Sequence, residues 1–187
     1  MAEFNNLSTE RFRQKMKPAA MRIYQKIFPG CLMEDLRENG VKVHILDKEF
    51  AIDTLIHFPS DQWISIQEKY RENIFLINPK LQVNPPCPDF TQEYKNAVGT
   101  QYESPGEWFK LGAQLYFYGW ANSKETDFEK WVLIDIPKYK MFVENHGGLN
   151  KIGKLLQNKK HGMASFYAFP IEKLRDCFVT DYRHYLR

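Results

Sequence analysis

The chain has little of what marks several large protein classes. Its three cysteines, Cys31, Cys87 and Cys177, are odd in number and far apart, so neither a disulfide framework nor a CxxC zinc site is present. Such sparing use of cysteine fits a reducing cytoplasm, which is the expected location. No apolar run approaches the roughly 18 residues of a membrane span, which excludes an integral helical membrane protein. The opening Met-Ala-Glu-Phe-Asn-Asn lacks the basic and apolar regions of a signal peptide. The ten glycines are scattered, with no GxxxxGK(S/T) and no GxGxxG, so nucleotide-loop folds are not supported. No GxSxG elbow offers a serine nucleophile. The five histidines, His44, His57, His146, His161 and His184, form no HxH or HExxH pair, which argues against a zinc enzyme. Charge of either sign is in short excess: 26 Lys and Arg against 23 Asp and Glu leave +3. That balance permits a nucleic-acid partner without demanding one.

What is present reads as one globular domain. With 187 residues, 43% apolar and 26% charged, the chain can bury a core. Residues 8–27 repeat Phe12, Met16, Ala19/Ala20, Ile23 and Ile27 at helical spacing. Pro18 implies a kink or a late start. A short helix is expected over Leu32–Glu38, stopped by Asn39-Gly40. Three strands should follow, over Val41–Leu46, Phe50–Phe58 and from Trp63 towards Lys69, joined by short turns as an antiparallel meander. Residues 73–103 lack a clean period and carry Asn84-Pro85-Pro86-Cys87-Pro88, which reads as a long loop. Ser104-Pro105-Gly106-Glu107 resembles a capping box, predicting a helix to about Ala121. A buried strand over Trp131–Ile136 comes next. Beyond it the pattern gives a helix near Tyr139–Asn145, a basic helix near Leu149–Asn158, a strand near Met163–Phe169 and a last helix from Ile171. There is no internal repeat.

The chemistry-bearing stretch is Ala51-Ile-Asp-Thr-Leu-Ile-His-Phe58, a turn, then Trp63-Ile-Ser-Ile-Gln-Glu-Lys-Tyr-Arg71. Asp53 interrupts an apolar strand, and Gln67 and Lys69 share one face of the next. A three-residue loop at Pro59-Ser60-Asp61 pairs position 53 with 67, about 5 Å apart at Cβ. A two-residue loop would set Asp53 opposite Glu68 instead. Phosphodiester hydrolysis is helped by a divalent cation that polarises phosphate and acidifies a bound water. Mg²⁺ takes carboxylate, carbonyl and water oxygens. Asp53 supplies charge, Gln67 an amide oxygen and Glu68 a main-chain carbonyl. Lys69 can orient water or stabilise charge on the phosphate. Taken alone, the pattern also fits an Asp53–Lys69 ion pair on an exposed sheet face. The expected helix from Ser104 is apolar nearly all round except for Glu107, Lys110, Gln114 and Tyr118, a stripe that suggests a polar pocket.

Helix, three-stranded meander, helix, strand is the order of the PD-(D/E)XK nuclease core, an α/β (α+β) fold with a mixed central sheet flanked by helices. Asp53 with Gln67-x-Lys69 resembles the Gln-x-Lys variant of its motif, as in Mrr-type restriction enzymes. Gln114-x-x-x-Tyr118 resembles the Gln-x-x-x-Tyr helix of RecB-like exonucleases. The resemblance covers residues 8–137 and leaves 138–187 as a C-terminal α-β-α extension. It implies a metal-dependent deoxyribonuclease using Mg²⁺ or Mn²⁺ on Asp53, Gln67 and the Glu68 carbonyl, with Lys69 catalytic and Gln114 and Tyr118 shaping the pocket. It also implies DNA as partner, with RNA not separated from it by the sequence; many relatives act as dimers or larger assemblies, so a homo-oligomer is compatible with it, but the sequence does not fix the oligomeric state. Arg71, Lys151, Lys154, Lys159 and Lys160 are the expected phosphate contacts. A non-catalytic nucleic-acid-binding or assembly module on the same scaffold is the alternative.

Two positions depart from the pattern. Ile52 stands where the motif has proline. Gln67 replaces an acid, so the site is one negative charge short. Members with Gln here commonly use an upstream helical acid, for which Glu34 is the first candidate, ahead of Asp35, Glu38 and Glu10. Glu34 and Glu38 would share a helical face.

Overall fold

A computed structural model describes residues 3–37, 44–76, 88–158 and 163–184. Helix α1 (Glu3–Ile27) forms as the apolar spacing predicts. Met16, Ala19, Ala20 and Tyr24 are buried along one side. The helix continues through Pro18, which is exposed, so the carbonyl it leaves unpaired faces water.

The main sheet is mixed and six-stranded. Its strands are β1 (Leu32–Asp35), β2 (Thr54–His57), β3 (Trp63–Arg71), β6 (Leu115–Ala121), β7 (Phe128–Asp135) and β10 (Phe178–Asp181), adjacent in that order. β3 and β6 run parallel and the other neighbours antiparallel. A second, antiparallel sheet has the order β5 (Ser104–Pro105), β4 (Asp89–Asn96), β9 (Ser165–Pro170), β8 (Lys154–Gln157). Helices α2 (His44–Phe50), α3 (Glu107–Lys110), α4 (Ile136–Asn145) and α5 (Leu149–Ile152) connect them.

Each face of the main sheet has its own core. Ile56, Ile66, Phe117 and Leu133 pack under Met16, Ala20 and Tyr24 of α1. On the other face Tyr116, Tyr118, Trp120, Val132 and Ile134 pack on Tyr139 and Val143 of α4 and on Phe90 and Phe169 of the second sheet. The Phe90 ring is central, 4.8 Å from that of Tyr118 and 5.3 Å from those of Tyr139 and Phe169.

Several expectations are corrected. Leu32–Asp35 is a strand, because it pairs with β2. His44–Phe50 is a helix, against a strand over 41–46; residues 41–43 lie outside the described set. The expected loop 73–103 contains β4, which the second sheet holds. The helix expected from Ser104 to Ala121 is one turn, α3, followed by strand β6. All seven residues of β6 are buried, and a run covered on both sides reads alike as strand or helix. Gly106 also commits this stretch to the second sheet: a Cβ there would lie 2.7 Å from the backbone of Tyr94.

The C-terminal segment is no α-β-α appendage. It supplies α4, α5, strands β8 and β9 of the second sheet and the edge strand β10. The basic helix stops at Ile152 because Gly153 carries the chain against β9, where a Cβ would meet the Phe169 ring at 2.8 Å. The last helix is a 3₁₀ segment, Ile171–Cys177. Among the described residues, no helix is long and apolar enough to cross a membrane.

Candidate active site

The β2–β3 hairpin sets the site. His57 pairs with Trp63 and Thr54 with Ile66, and the Phe58 N–H donates to the Gln62 carbonyl at 2.8 Å. The turn is therefore the three-residue one, with Asp61 in the left-handed region at φ 58°, as such loops require. The ladder ends with Thr54 opposite Ile66, and the Asp53 N–H donates to the same Ile66 carbonyl at 2.9 Å, so Asp53 departs from the register that would set it squarely across from Gln67. Gln67 and Lys69 are in register with Tyr116 and Tyr118 of β6. Gln67, Lys69, Tyr116 and Tyr118 thus lie on the sheet face turned away from α1, and the Asp53 carboxylate reaches the main chain of Glu68 between them.

Asp53 is 1% exposed. Its Oδ2 accepts the Glu68 N–H at 2.8 Å. Its Oδ1 lies 2.6 Å from Arg37 Nε, but not in hydrogen-bond alignment. Burial pushes this carboxyl up to about 7, against the opposing charge of Arg37. The Arg37 guanidinium also meets Asp47 at 3.1 Å and Glu10 at 3.9 Å.

Gln67 is 5% exposed. Its Nε2 makes long contacts to Glu107 Oε2 at 3.4 Å and to the Glu68 carbonyl at 3.5 Å. Its Oε1 has no hydrogen-bond donor among the described residues. Glu107, on α3, accepts from Gln92 Nε2 at 2.9 Å and from the Tyr116 hydroxyl at 2.7 Å. Gln92 is buried on β4 and its own Oε1 also lacks a donor. Lys69 Nζ donates to the Thr91 carbonyl at 3.2 Å. The Tyr118 hydroxyl accepts the Thr91 N–H at 3.2 Å and meets Thr91 Oγ1 at 2.9 Å.

The opposite face is arranged differently. Glu68 Oε1 accepts from Lys17 Nζ (2.9 Å), the Tyr24 hydroxyl (2.9 Å) and Thr54 Oγ1 (2.8 Å). Its Oε2 accepts from Lys17 Nζ (2.8 Å) and the Tyr70 hydroxyl (2.6 Å). Burial and the Glu68 charge hold both tyrosines well above their ordinary pKa. The Glu68 side chain is thus committed to the fold, and only its carbonyl faces the Gln67 amide.

The remaining candidates are dispersed. Glu34 pairs with His57 at 3.1 Å and stands opposite Leu55, not Asp53. Asp35 joins Arg13 and Lys17 on the α1 side, and Glu10 binds Arg13 at 3.0 Å. Because Leu32–Asp35 is a strand, the shared helical face of Glu34 and Glu38 does not exist; Glu38 itself lies outside the described residues. Gln114 is exposed before β6, accepting the Ser65 N–H at 2.9 Å. It shares no helical face with Tyr118, which is buried beside Lys69. Arg71 is 3.9 Å from Asp89 and lies over the Phe75 ring at 4.0 Å. Lys151 and Lys154 are exposed on α5 and β8, two strands beyond β4. Lys159 and Lys160 lie outside the described residues.

Arg37, Gln92 and Glu107 are the site's unforeseen members. Glu107 was visible in the polar stripe, but its partners come from other strands. Gln92 sits in a stretch whose alternation is masked by the neighbouring prolines.

Among the described residues no cluster of three or more His, Cys, Asp and Glu side chains could hold a metal ion. The donor set on the Asp53 face is nonetheless chemically suited to a hard cation: one carboxylate, one amide oxygen and one main-chain carbonyl. The buried Gln67 oxygen, short of a donor, is the observation that makes it fit, since such an atom gains most from a partner. No protein family, no curated protein and no solved structure matches the chain.

Proposed function

We propose that the chain is a divalent-metal-dependent nuclease that hydrolyses phosphodiester bonds of DNA on a restriction-endonuclease-like PD-(D/E)XK core. The observation that carries the reading is the Gln67 oxygen, buried and without a donor among the described residues, on one strand face with Lys69, while Asp53 is bonded to the intervening Glu68 N–H. The order of α1, the β1–β2–β3 meander and a parallel β6 supports it. Asp53, Gln67 and the Glu68 carbonyl would hold Mg²⁺ or Mn²⁺, which would polarise the phosphate and acidify an attacking water. Lys69 stabilises charge developing on the phosphate. Thr91 holds the Lys69 ammonium through its carbonyl and is itself held by Tyr118. The Glu68 N–H holds Asp53 Oδ2, and Oδ1 lies buried beside Arg37.

One observation favours a second reading, a non-catalytic module on the same scaffold. Arg37 already neutralises Asp53 at 2.6 Å, and a guanidinium there competes with any cation. A cleavage assay separates the two. Duplex, single-stranded and branched DNA, with RNA as a further arm, is incubated with Mg²⁺ or Mn²⁺. Wild type is expected to cut, and Asp53→Ala and Lys69→Ala to lose at least a hundredfold in rate (about 10²–10³ for one electrostatic group). Wild type inert on every substrate, or variants cutting as well as wild type, would overturn the nuclease reading.

A further inference from the structure

We infer that the corner between the edge strand β10 and the 3₁₀ segment Ile171–Cys177 binds a small organic anion, a flat apolar body carrying one carboxylate or phosphate group. None of its residues belongs to the candidate active site, and the inference stands whether or not the chain cuts DNA. A cleft of about 340 Å³ lies at this corner, at the small end of the range for small-molecule sites. Trp120 of β6 and Lys130 of β7 line it. The two are opposite each other in the β6–β7 ladder, so their side chains share one face of the sheet. Phe178 and Tyr182, both half-buried, give it aromatic walls. Arg175 and Arg183 stand exposed at its rim, with Glu172 beside Arg175.

Two observations point to an anionic ligand. The first is the Trp120 indole. The residue is 1% exposed, and its Nε1 is buried with no acceptor among the described residues. An indole N–H can only donate, and burying it unpaired is unfavourable until an acceptor arrives. The second is charge. The Arg183 Nε donates to Asp181 at 2.9 Å, and Arg175 meets Glu172 at 3.1 Å, so each arginine brings its own counter-charge. Lys130 is half-buried and has no ion pair among the described residues. The corner is therefore positive, and Lys130 carries the excess. A carboxylate or phosphate oxygen answers both needs, as an acceptor for the Trp120 N–H and a counter-charge for Lys130. The two ring walls select a flat apolar body to carry that group.

The test uses the whole chain and ¹⁵N NMR. Four tryptophans give four indole N–H peaks, and that of Trp120 is assigned through its contact with the Tyr118 ring, 4.8 Å away. The probes are benzoate, phenyl phosphate, neutral benzamide and inorganic phosphate. Benzoate or phenyl phosphate is expected to shift the Trp120 peak saturably, with a Kd of about a millimolar, as ligands of about ten atoms give. Whichever binds more tightly identifies the anionic group. Lys130→Met should weaken that binding about tenfold, and Lys130→Arg should keep it; Lys130→Gln replaces the first variant if that one fails to fold. A Trp120 peak unmoved by every probe would overturn the inference. So would benzamide binding as tightly as benzoate, inorganic phosphate binding as tightly as phenyl phosphate, or wild-type affinity in Lys130→Met or Lys130→Gln. Each of these failures leaves the nuclease reading to its own cleavage assay.

Discussion

On the α1 side of the main sheet the buried Glu68 carboxylate receives hydrogen bonds from Lys17, Thr54, Tyr24 and Tyr70. One residue back along the same strand, the Gln67 oxygen on the other face has no donor among the described residues. Asp53, bonded to the Glu68 N–H, faces Arg37 through Oδ1. Both faces are dry and both hold charge, so burial does not distinguish them. Satisfaction does: a carboxylate with every lone pair engaged serves the fold and has nothing to offer a ligand, whereas oxygens short of donors retain that capacity. Two adjacent residues on a β-strand can therefore divide structure and chemistry between them, because the strand sends them to opposite faces.

The comparison breaks most visibly at Lys17. It is 4% exposed and lies 2.8 Å from Glu68 and 3.4 Å from Asp35. Lys17→Met leaves Glu68 buried and short of its cation, and Asp35 with Arg13 alone. Urea denaturation should show a loss of about 3–5 kcal/mol, the usual cost of orphaning a buried charge. A loss below about 1 kcal/mol would mean that the α1 face is not the rigid half.

Next in size is a pH effect of opposite sign on the two faces. The Asp53 carboxyl is raised to about 7 by burial. The folded protein therefore holds its proton more tightly than the unfolded chain, and this contribution is present below about pH 4 and fades as pH rises to about 7. Relative to Asp53→Asn, metal-free wild type should lose on the order of 2–4 kcal/mol across that window. Asp35 is lowered from its ordinary value, as Lys17, the Arg37 N–H and Arg13 outweigh burial. Its contribution is present above about pH 4 and disappears as the solution is acidified below that. Denaturation curves for wild type, Asp53→Asn and Asp35→Asn from pH 3 to 8 measure both slopes; slopes of the same sign would erase the distinction.

The smallest effect sharpens the comparison. Lys69 Nζ has one hydrogen bond, to the Thr91 carbonyl. Lys69→Met should change stability by less than about 1 kcal/mol, read by thermal melting, while abolishing cleavage. A large destabilisation would move Lys69 to the structural side.

The sequence made the hairpin legible because it is local: Pro59-Ser60-Asp61 fixes the loop, and the loop fixes the pairing of Thr54–His57 with Trp63–Ile66. Helix α1 was legible from its apolar spacing. β6 was not, since Leu115–Ala121 is buried on both sides and has no period to read. The capping signal at Ser104 was real only for the single turn of α3. β4 was hidden because its partner is β9, with Thr91 opposite Ala168, a pairing no short window contains. For the same reason Gln67 and Lys69 could be put on one strand face from sequence, whereas the contacts of Arg37 with Asp53 and of Gln92 with Glu107 could not.

That long-range pairing also sets an order of assembly. The hairpin joining Asp53 to Gln67 closes over a short loop, at little cost in chain entropy. The hold on Gln67 from Glu107 and Gln92 depends on β4, and β4 is clamped by a strand that ends at Pro170. A chain still emerging from the ribosome can therefore form the hairpin before it can build the clamp. The face carrying Asp53 and Gln67 is complete only when the second sheet has closed over it, so the proposed site comes into being with the finished fold and not before.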